Sequence, residues 1–358
     1  MASAAQERID GSDVKHFSLP ALLITTLMLV ACVETQPLVR PDSVLDAVPV
    51  VKKNDASVQE TLRAIAGMQE RLDHVAAPLM IKNQDLCRKL SRPLLGFTAK
   101  NKYSYSPSLS EAAQEALGLG ELLQVTGVMS GSGASRSGLQ RGDSLIAAAN
   151  KPMPKGPNAE YDAPEILAPL IIGQSSIKLT VLRNGKSVAI SLPLTRACAF
   201  RVELGNTDNV SSYADGRRIM LTRGMIKFAR SDDELAYIIA KEMAHNTLGH
   251  AYRTGAATVA RETINNLMQV YPDQQSAATN IKPMPKEMDT VADRLSIYML
   301  ARGGFSLDGV IEFWQRLAQQ SEGTANGYNA TPTDAAYRIA AMEKSIAEIK
   351  AKRSGKNK

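Results

Sequence analysis

Apolar positions recur every three or four residues from Ser57 to about Leu90, at Leu62, Ile65, Met68, Leu72, Val75 and Leu79. That spacing predicts an amphipathic helix. His74 lies beside the stripe and reads as a surface or packing histidine. The pattern changes at "LLQVTGVMSGSGASRSGLQRGDSLIAAANKPM", where a strand leads through a Gly/Ser turn and a short helical turn to a second strand. "SSIKLTVLRNGKSVAISLPL" reads as a hairpin closing over "RNGK". From Phe200 two strands are expected, "FRVEL" and "RRIMLTRGMIKFA". A helix follows, entered at Ser231 with Glu234 three residues on, the spacing of a capping box, and Leu235, Ile238, Ile239 and Met243 give it an apolar side. "KEMDTVADRLSIYMLARGGF" and "TPTDAAYRIAAMEKSIAEI" read as two more helices, the second entered through Pro332.

At 358 residues the chain is long enough for two compact domains with extensions. Its composition is that of a globular protein. The net charge of +6 reads largely as a solvated, frayed tail, "KAKRSGKNK", and nucleic acid is not an expected partner. The N-terminus carries an apolar run, "SLPALLITTLMLVAC", of signal-peptide length and too short to span a bilayer comfortably. Its mixed-charge leader departs from the usual basic start, so translation beginning at Val14 is an alternative. Residues 33–57 are rich in proline and polar residues without a sustained period, as in a tether. With Cys32 set aside, Cys87 and Cys198 remain, an even pair in an exported chain where disulfides persist. A bond between them is expected to clip the helical segment to the start of the last domain. Two separate buried thiols are the alternative.

"LVAC" resembles the bacterial lipobox, which implies lipid on Cys32 and a membrane partner reached through that anchor. Val33 in place of an aspartate implies the inner face of the outer membrane, facing the periplasm. A cysteine that only ends a signal peptide is the rival reading. The segment around Ser132, Ala134, Gly138, Leu139, Gly142, Asp143, Leu145, Ile146 and Asn150 resembles a PDZ domain of envelope proteases, over about Tyr103 to Thr195. The resemblance implies a groove for strand addition beside the helix of "EYDAPEILAPLI". "LGLGELLQV" matches the carboxylate-binding loop only loosely, and a structural β-domain without ligand stays open.

The chemistry gathers in "IIAKEMAHNTLGH". Residues four apart on a helix share a face, so positions 241 and 245 point together with Glu242 one step round. With histidine at 241 this would be H-E-x-x-H, in which two imidazoles hold zinc and the glutamate takes a proton from metal-bound water. Lys241 brings an ammonium instead. It either compensates the carboxylates of the site or swings out to solvent. His250, five residues past His245, diverges from it unless the helix ends at Gly249, and is not expected to bind metal.

Four motifs in order, "YADGRRIMLTRGMIKFA", "SDDELAYIIAKEMAHNTLGH", "KEMDTVADRLSIYMLARGGF" and "TPTDAAYRIAAME", resemble the gluzincin peptidases that include the HtpX-type heat-shock proteases and the CAAX prenyl proteases. The resemblance puts the catalytic base on Glu242, a second acid on Asp293 and metal ligands on His245 and Asp289. It puts Lys241 where the first ligand is lost, and Thr331 where the family tends to have histidine. It implies zinc as cofactor if the chain is active, and a substrate strand lying along the edge near "YADGRRIM".

The expected architecture is α+β and multidomain, with a PDZ-like β-domain followed by a mainly α-helical gluzincin-type domain. Its segments are a signal peptide (1–31), tether (32–56), helical segment (57–102), PDZ-like domain (103–195), peptidase-like domain (196–350) and basic tail (351–358). The expected function is capture of unfolded or extended polypeptide in envelope quality control, with proteolysis lost or impaired. An active zinc metalloendopeptidase with Glu242 as base is the alternative, and a scaffolding lipoprotein is a third reading.

Overall fold

The structure is a computed structural model and describes residues 56–269, 284–321 and 332–356. The export segment, Cys32, the tether and Thr331 lie outside the described residues. Among the described residues no helix is long and apolar enough to cross a membrane.

The first helix, α1 (Ala56–Lys82), buries Leu62, Leu72, Val75 and Leu79 of the expected stripe, leaves Ile65 and Met68 half-buried, and stops short of Leu90. Asn83 ends it, because its amide donates to Leu79 O at 2.9 Å and to Met299 O at 3.0 Å in the next layer of the fold. The chain then forms two short strands, β1 (Ser91–Leu94) and β2 (Phe97–Lys100), where a helical segment was expected. Pro93 sits in β1, which is tolerable because β1 pairs on one side only, with β8. The β-rich unit therefore begins at Phe97 and not at Tyr103.

That unit continues through α2 (Ser110–Leu117), β3 (Gln124–Val128), α3 (Gly133–Arg136), β4 (Ser144–Ala148), β5 (Lys151–Pro152), α4 (Ala159–Ile171), β6 (Ser176–Arg183) and β7 (Lys186–Pro193). Its sheet runs β2-β3-β4-β6-β7, with β5 against β4. The β6–β7 hairpin turns at Asn184 and Gly185, both at positive φ, as a two-residue type I′ turn requires. Leu123, Val125, Leu145, Leu179, Val181 and Leu192 are among its buried core. "LGLGELLQV" closes α2 at Gly118 and leads into the internal strand β3, so it is not the loop before an exposed edge. That loop is Leu94–Leu95–Gly96, where Gly96 has φ +76° and its carbonyl accepts from Met129 N at 2.8 Å.

The last strand of this region, β8 (Thr195–Cys198), pairs antiparallel with β1, so the entry and exit of the β-domain form one ribbon. A disulfide between Cys87 and Cys198 closes it, 111 residues apart in sequence.

The C-terminal region opens with β9 (Arg201–Gly205), β10 (Ser212–Ala214) and β11 (Arg218–Thr222), in the spatial order β10-β11-β9. The expected long second strand is cut at Thr222, whose hydroxyl accepts from Met225 N at 3.2 Å and starts the short helix α5 (Arg223–Phe228). The free edge of β9 is closed by a side chain of α1. Gln69 donates to Val202 O and accepts from Leu204 N, both at 2.9 Å, as a neighbouring strand would.

Helices α6 (Asp232–Leu248), α7 (His250–Arg253), α8 (Ala257–Gln269), α9 (Lys286–Gly303), α10 (Val310–Ser321) and α11 (Pro332–Lys356) complete the domain. Ser231 accepts from Glu234 N, while Glu234 reaches Arg230 N and Arg316 and not its own cap residue. The larger core surrounds α6 with side chains of α1, α9, α10 and α11, including Leu79, Leu300, Phe313 and Met342. Every residue from Leu235 to Asn246 is buried, so α6 is a central helix and not an amphipathic one. The basic terminal residues do not fray at 351, because α11 continues to Lys356.

Candidate functional site

A helix enclosed on all sides must find partners for its polar side chains, since an unpaired buried charge costs several kcal/mol. Lys241, Glu242, His245 and Asn246 are all in this position. Their partners come from the β10–β11 hairpin on one side and from α9, α10 and α11 on the other.

Lys241 is 1% exposed and does not swing out to solvent. Its Nζ lies 3.1 Å from Asp289 Oδ1 and 4.0 Å from Asp293 Oδ1, both on α9. Asp289 Oδ1 is also 3.2 Å from His245 Nε2. Arg338 of α11 adds a second cation. It grips Asp293 through Nε at 2.6 Å and Nη2 at 3.0 Å, and its Nη1 is 3.5 Å from Asp289 Oδ2. Trp314 of α10, the chain's single tryptophan, is within reach of both cations, with its ring 5.1 Å from Lys241 Nζ and 5.7 Å from the Arg338 guanidinium. Burial alone would raise the Asp289 carboxyl, but Lys241, His245 and Arg338 outweigh it and hold it well below the usual carboxylate range.

On the other side, Ser212 Oγ of β10 donates to Glu242 Oε1 at 2.9 Å. Asn246 fixes the hairpin turn by accepting from Gly216 N at 2.6 Å and donating to Arg218 O at 3.0 Å. Gly216 is at φ +96°, and a Cβ there would fall 2.2 Å from the Tyr252 ring, so glycine is required. Among the described residues β10 pairs only with β11, and its three residues are all buried.

Helix α6 ends at Gly249, at φ +68°, and this turn brings His250 back onto His245. Their Nδ1 atoms are 3.0 Å apart. Burial, and then the neighbouring His245, push the His250 imidazole down to about 4. His250 is therefore neutral at pH 7, and a single hydrogen bond joins the two Nδ1 atoms, while His245 Nε2 lies 3.2 Å from Asp289 Oδ1.

These positions do not fit a zinc ion. Such an ion needs lone pairs about 2 Å away from three protein donors, whereas position 241 carries an ammonium whose Nζ lies 3.1 Å from Asp289 Oδ1. Two fixed cations already face the two aspartates. Among the described residues no group of three or more His, Cys, Asp or Glu side chains is arranged to hold a metal ion.

The structure thus brings together Lys241, Glu242, His245, Asp289 and Asp293. Ser212, Asn246, Trp314 and Arg338 also belong to the site and were not singled out in the sequence. Only their polar or aromatic character could have marked them.

Residues 180–346 match Peptidase family M48. The mitochondrial metalloendopeptidase OMA1 of Schizosaccharomyces pombe (strain 972 / ATCC 24843) is 23% identical over 147 residues, 38% of this chain and 44% of that protein. The chain thus matches less than half the length of this relative. Among solved structures, the HtrA-type protease AlgW with decapeptide is 26% identical over 30% of each chain, with a TM-score of 0.22. The HtrA3 PDZ domain bound to a phage-derived ligand is 18% identical, covering 30% of this chain and 88% of that one, also with a TM-score of 0.22.

Proposed function

We propose that the region matching peptidase family M48 keeps the scaffold of a metallopeptidase but works without the metal, holding extended polypeptide in the bacterial cell envelope without cutting it. The observation that carries this reading is the Lys241 ammonium, buried against Asp289 at 3.1 Å where a neutral nitrogen donor would be needed. Without a metal to lower the pKa of water from ~16 towards ~7, Glu242 has no activated nucleophile to produce, and it is engaged by Ser212 instead.

Polypeptide capture is supported by the β-domain. Among the described residues strand β2 is an outer strand of its sheet and pairs only with β3. Phe97 and Ala99 of β2, with Ile166, Leu167 and Leu170 of α4, are half-buried against the same core. Backbone groups along such an edge accept an added strand, as in PDZ-type recognition. The motif from Ser132 to Asn150 supports the same reading. The β10 edge is the less accessible of the two, because its residues are buried.

The apolar run ending at Cys32 supports export, lipid attachment and a body facing the periplasm, on the inner face of the outer membrane. A second reading, an active zinc endopeptidase, is favoured only by the approach of His245 Nε2 to Asp289 Oδ1 at 3.2 Å. Hydrolysis of unfolded casein separates the two. The chain supplied with zinc is expected to leave casein intact, while Lys241→His with Asp289→Glu gains chelator-sensitive cleavage. Cleavage by the native sequence, abolished by chelator and by Glu242→Gln, would overturn the proposal.

A further inference from the structure

Helix α1 touches both the three-stranded sheet of the C-terminal region and the sheet of the β-domain, through two polar residues one turn apart. Gln69 donates to Val202 O of β9 and to Asp73 Oδ1, both at 2.9 Å. Asp73 turns its other oxygen to the β-domain, where a Cβ built on Gly127 of β3 would fall 3.0 Å from Asp73 Oδ2 and 2.8 Å from Thr98 Oγ1. Glycine at 127 leaves room for this approach. Phe97 and Ala99 of β2 pack against the β-domain core, so strand alternation gives Thr98 and Lys100 to the other face. Thr98 is opposite Gly127 in the register, and α1 therefore lies against that face.

The Asp73 carboxyl is a charge placed between a helix and a sheet. Burial opposes its ionisation most strongly, the hydrogen bond from Gln69 and the charge of Lys100 favour it, and Glu70 opposes it, so the carboxyl is pushed up to about 6. Lys100 also faces Glu203 of β9, and Glu70 is paired with Arg141 of the β-domain. The same interface is held by Leu94 and Met129, which pack against the larger core, and by the β1–β8 ribbon with its Cys87–Cys198 bond. The ribbon is covalently closed, so it stays in place when β2 and α1 part.

We propose that Asp73 is a pH-sensitive joint that seats strands β2 and β3 on α1, closing more firmly in mild acid and loosening toward alkaline pH, with the β1–β8 ribbon as its pivot. Seated, the carboxyl takes up its proton near pH 6; lifted into water, it returns to the ordinary value of 3.8. The seated state thus binds more protons between these values and is favoured as pH falls through them, while above pH 6 it carries the full cost of the buried charge. From pH 7.5 to 5.5 it gains about fourfold over the lifted state. Among the described residues β2 pairs only with β3, so lifting leaves it without its second support. The edge open to an added strand is therefore firmest in acid, and the joint acts whether or not polypeptide binds there.

The test is hydrogen–deuterium exchange of the full chain at pH 5.5 and 7.5, corrected for the intrinsic rate at each pH and read over Phe97–Lys100. Protection of β2 is expected to be about fourfold greater at pH 5.5. Asp73→Asn keeps the shape of the side chain without its charge and should show the acid level of protection at both pH values. Gly127→Ala pushes the carboxyl off the sheet, and should lower protection at both and remove the difference between them. The β6–β7 hairpin, at the opposite edge of the same sheet, is the control and should not share the change. Equal protection of β2 at the two pH values in the parent, a difference that survives in either variant, or an equal difference across β6–β7 would overturn the proposal.

Discussion

Replacing Lys241 by methionine tests whether the ammonium holds the site together. Methionine keeps most of the buried aliphatic stem, so little cavity is created, and the loss is mainly of charge. Asp289 is held well below the usual carboxylate range and is ionised at pH 7. Removing one partner of a buried ion pair costs about 3–5 kcal/mol, because the other charge is stranded. Here the lower part of that range applies, since Arg338 Nη1 remains 3.5 Å from Asp289. For a domain of this size about 3 kcal/mol corresponds to roughly 6–12 °C in midpoint. Thermal unfolding followed by circular dichroism gives the shift. Trp314, the only tryptophan, stacks on the removed group, so its emission should change in the folded state. A variant melting within about 2 °C of the parent would show that Lys241 contributes little, and the charge-compensation argument would fail.

Asp73 of α1 is pushed up to about 6, chiefly by burial, partly offset by the hydrogen bond from Gln69 and the charge of Lys100, while Glu70 adds to the rise. The folded state therefore binds more protons than the unfolded one between roughly pH 4 and 6. Stability from this group should grow as pH falls from 7 to 5, and Asp73→Asn should raise the midpoint at pH 8, with the gain shrinking toward pH 5. An equal gain at both pH values would contradict this. Cys87→Ser with Cys198→Ser opens a loop spanning 111 residues, worth about 4–5 kcal/mol by chain entropy. Chemical denaturation should show a loss of that order, and an unchanged midpoint would mean the ribbon of β1 and β8 needs no clip.

Local signals located the long elements. The three-and-four spacing through Leu79 marked α1, the Asn184–Gly185 turn marked the β6–β7 hairpin, and Ser231 marked the start of α6. What the sequence hid depends on distant contacts. Strands β1 and β2 are four residues each, and β1 meets its partner only after the whole β-domain has intervened. The end of α1 was invisible because Leu86 and Leu90 continue the spacing, while Asn83 stops the helix through a contact to α9. Thr222 was a cap inside an apparently continuous strand. At the site, helical spacing put positions 241 and 245 on one face, but the facing of α6 against α9 decides that Lys241 turns inward. The contact of His250 with His245 depends on the left-handed turn at Gly249, which the sequence offered only as a condition.

The central claim is that a protein cation stands where a peptidase would hold its metal. Zinc stoichiometry measures this most directly, by elemental analysis of the folded chain after saturation with zinc and exhaustive dialysis. The account predicts far less than one zinc per chain, with Lys241→His and Asp289→Glu together raising it toward one. One zinc retained per chain by the native sequence would contradict it.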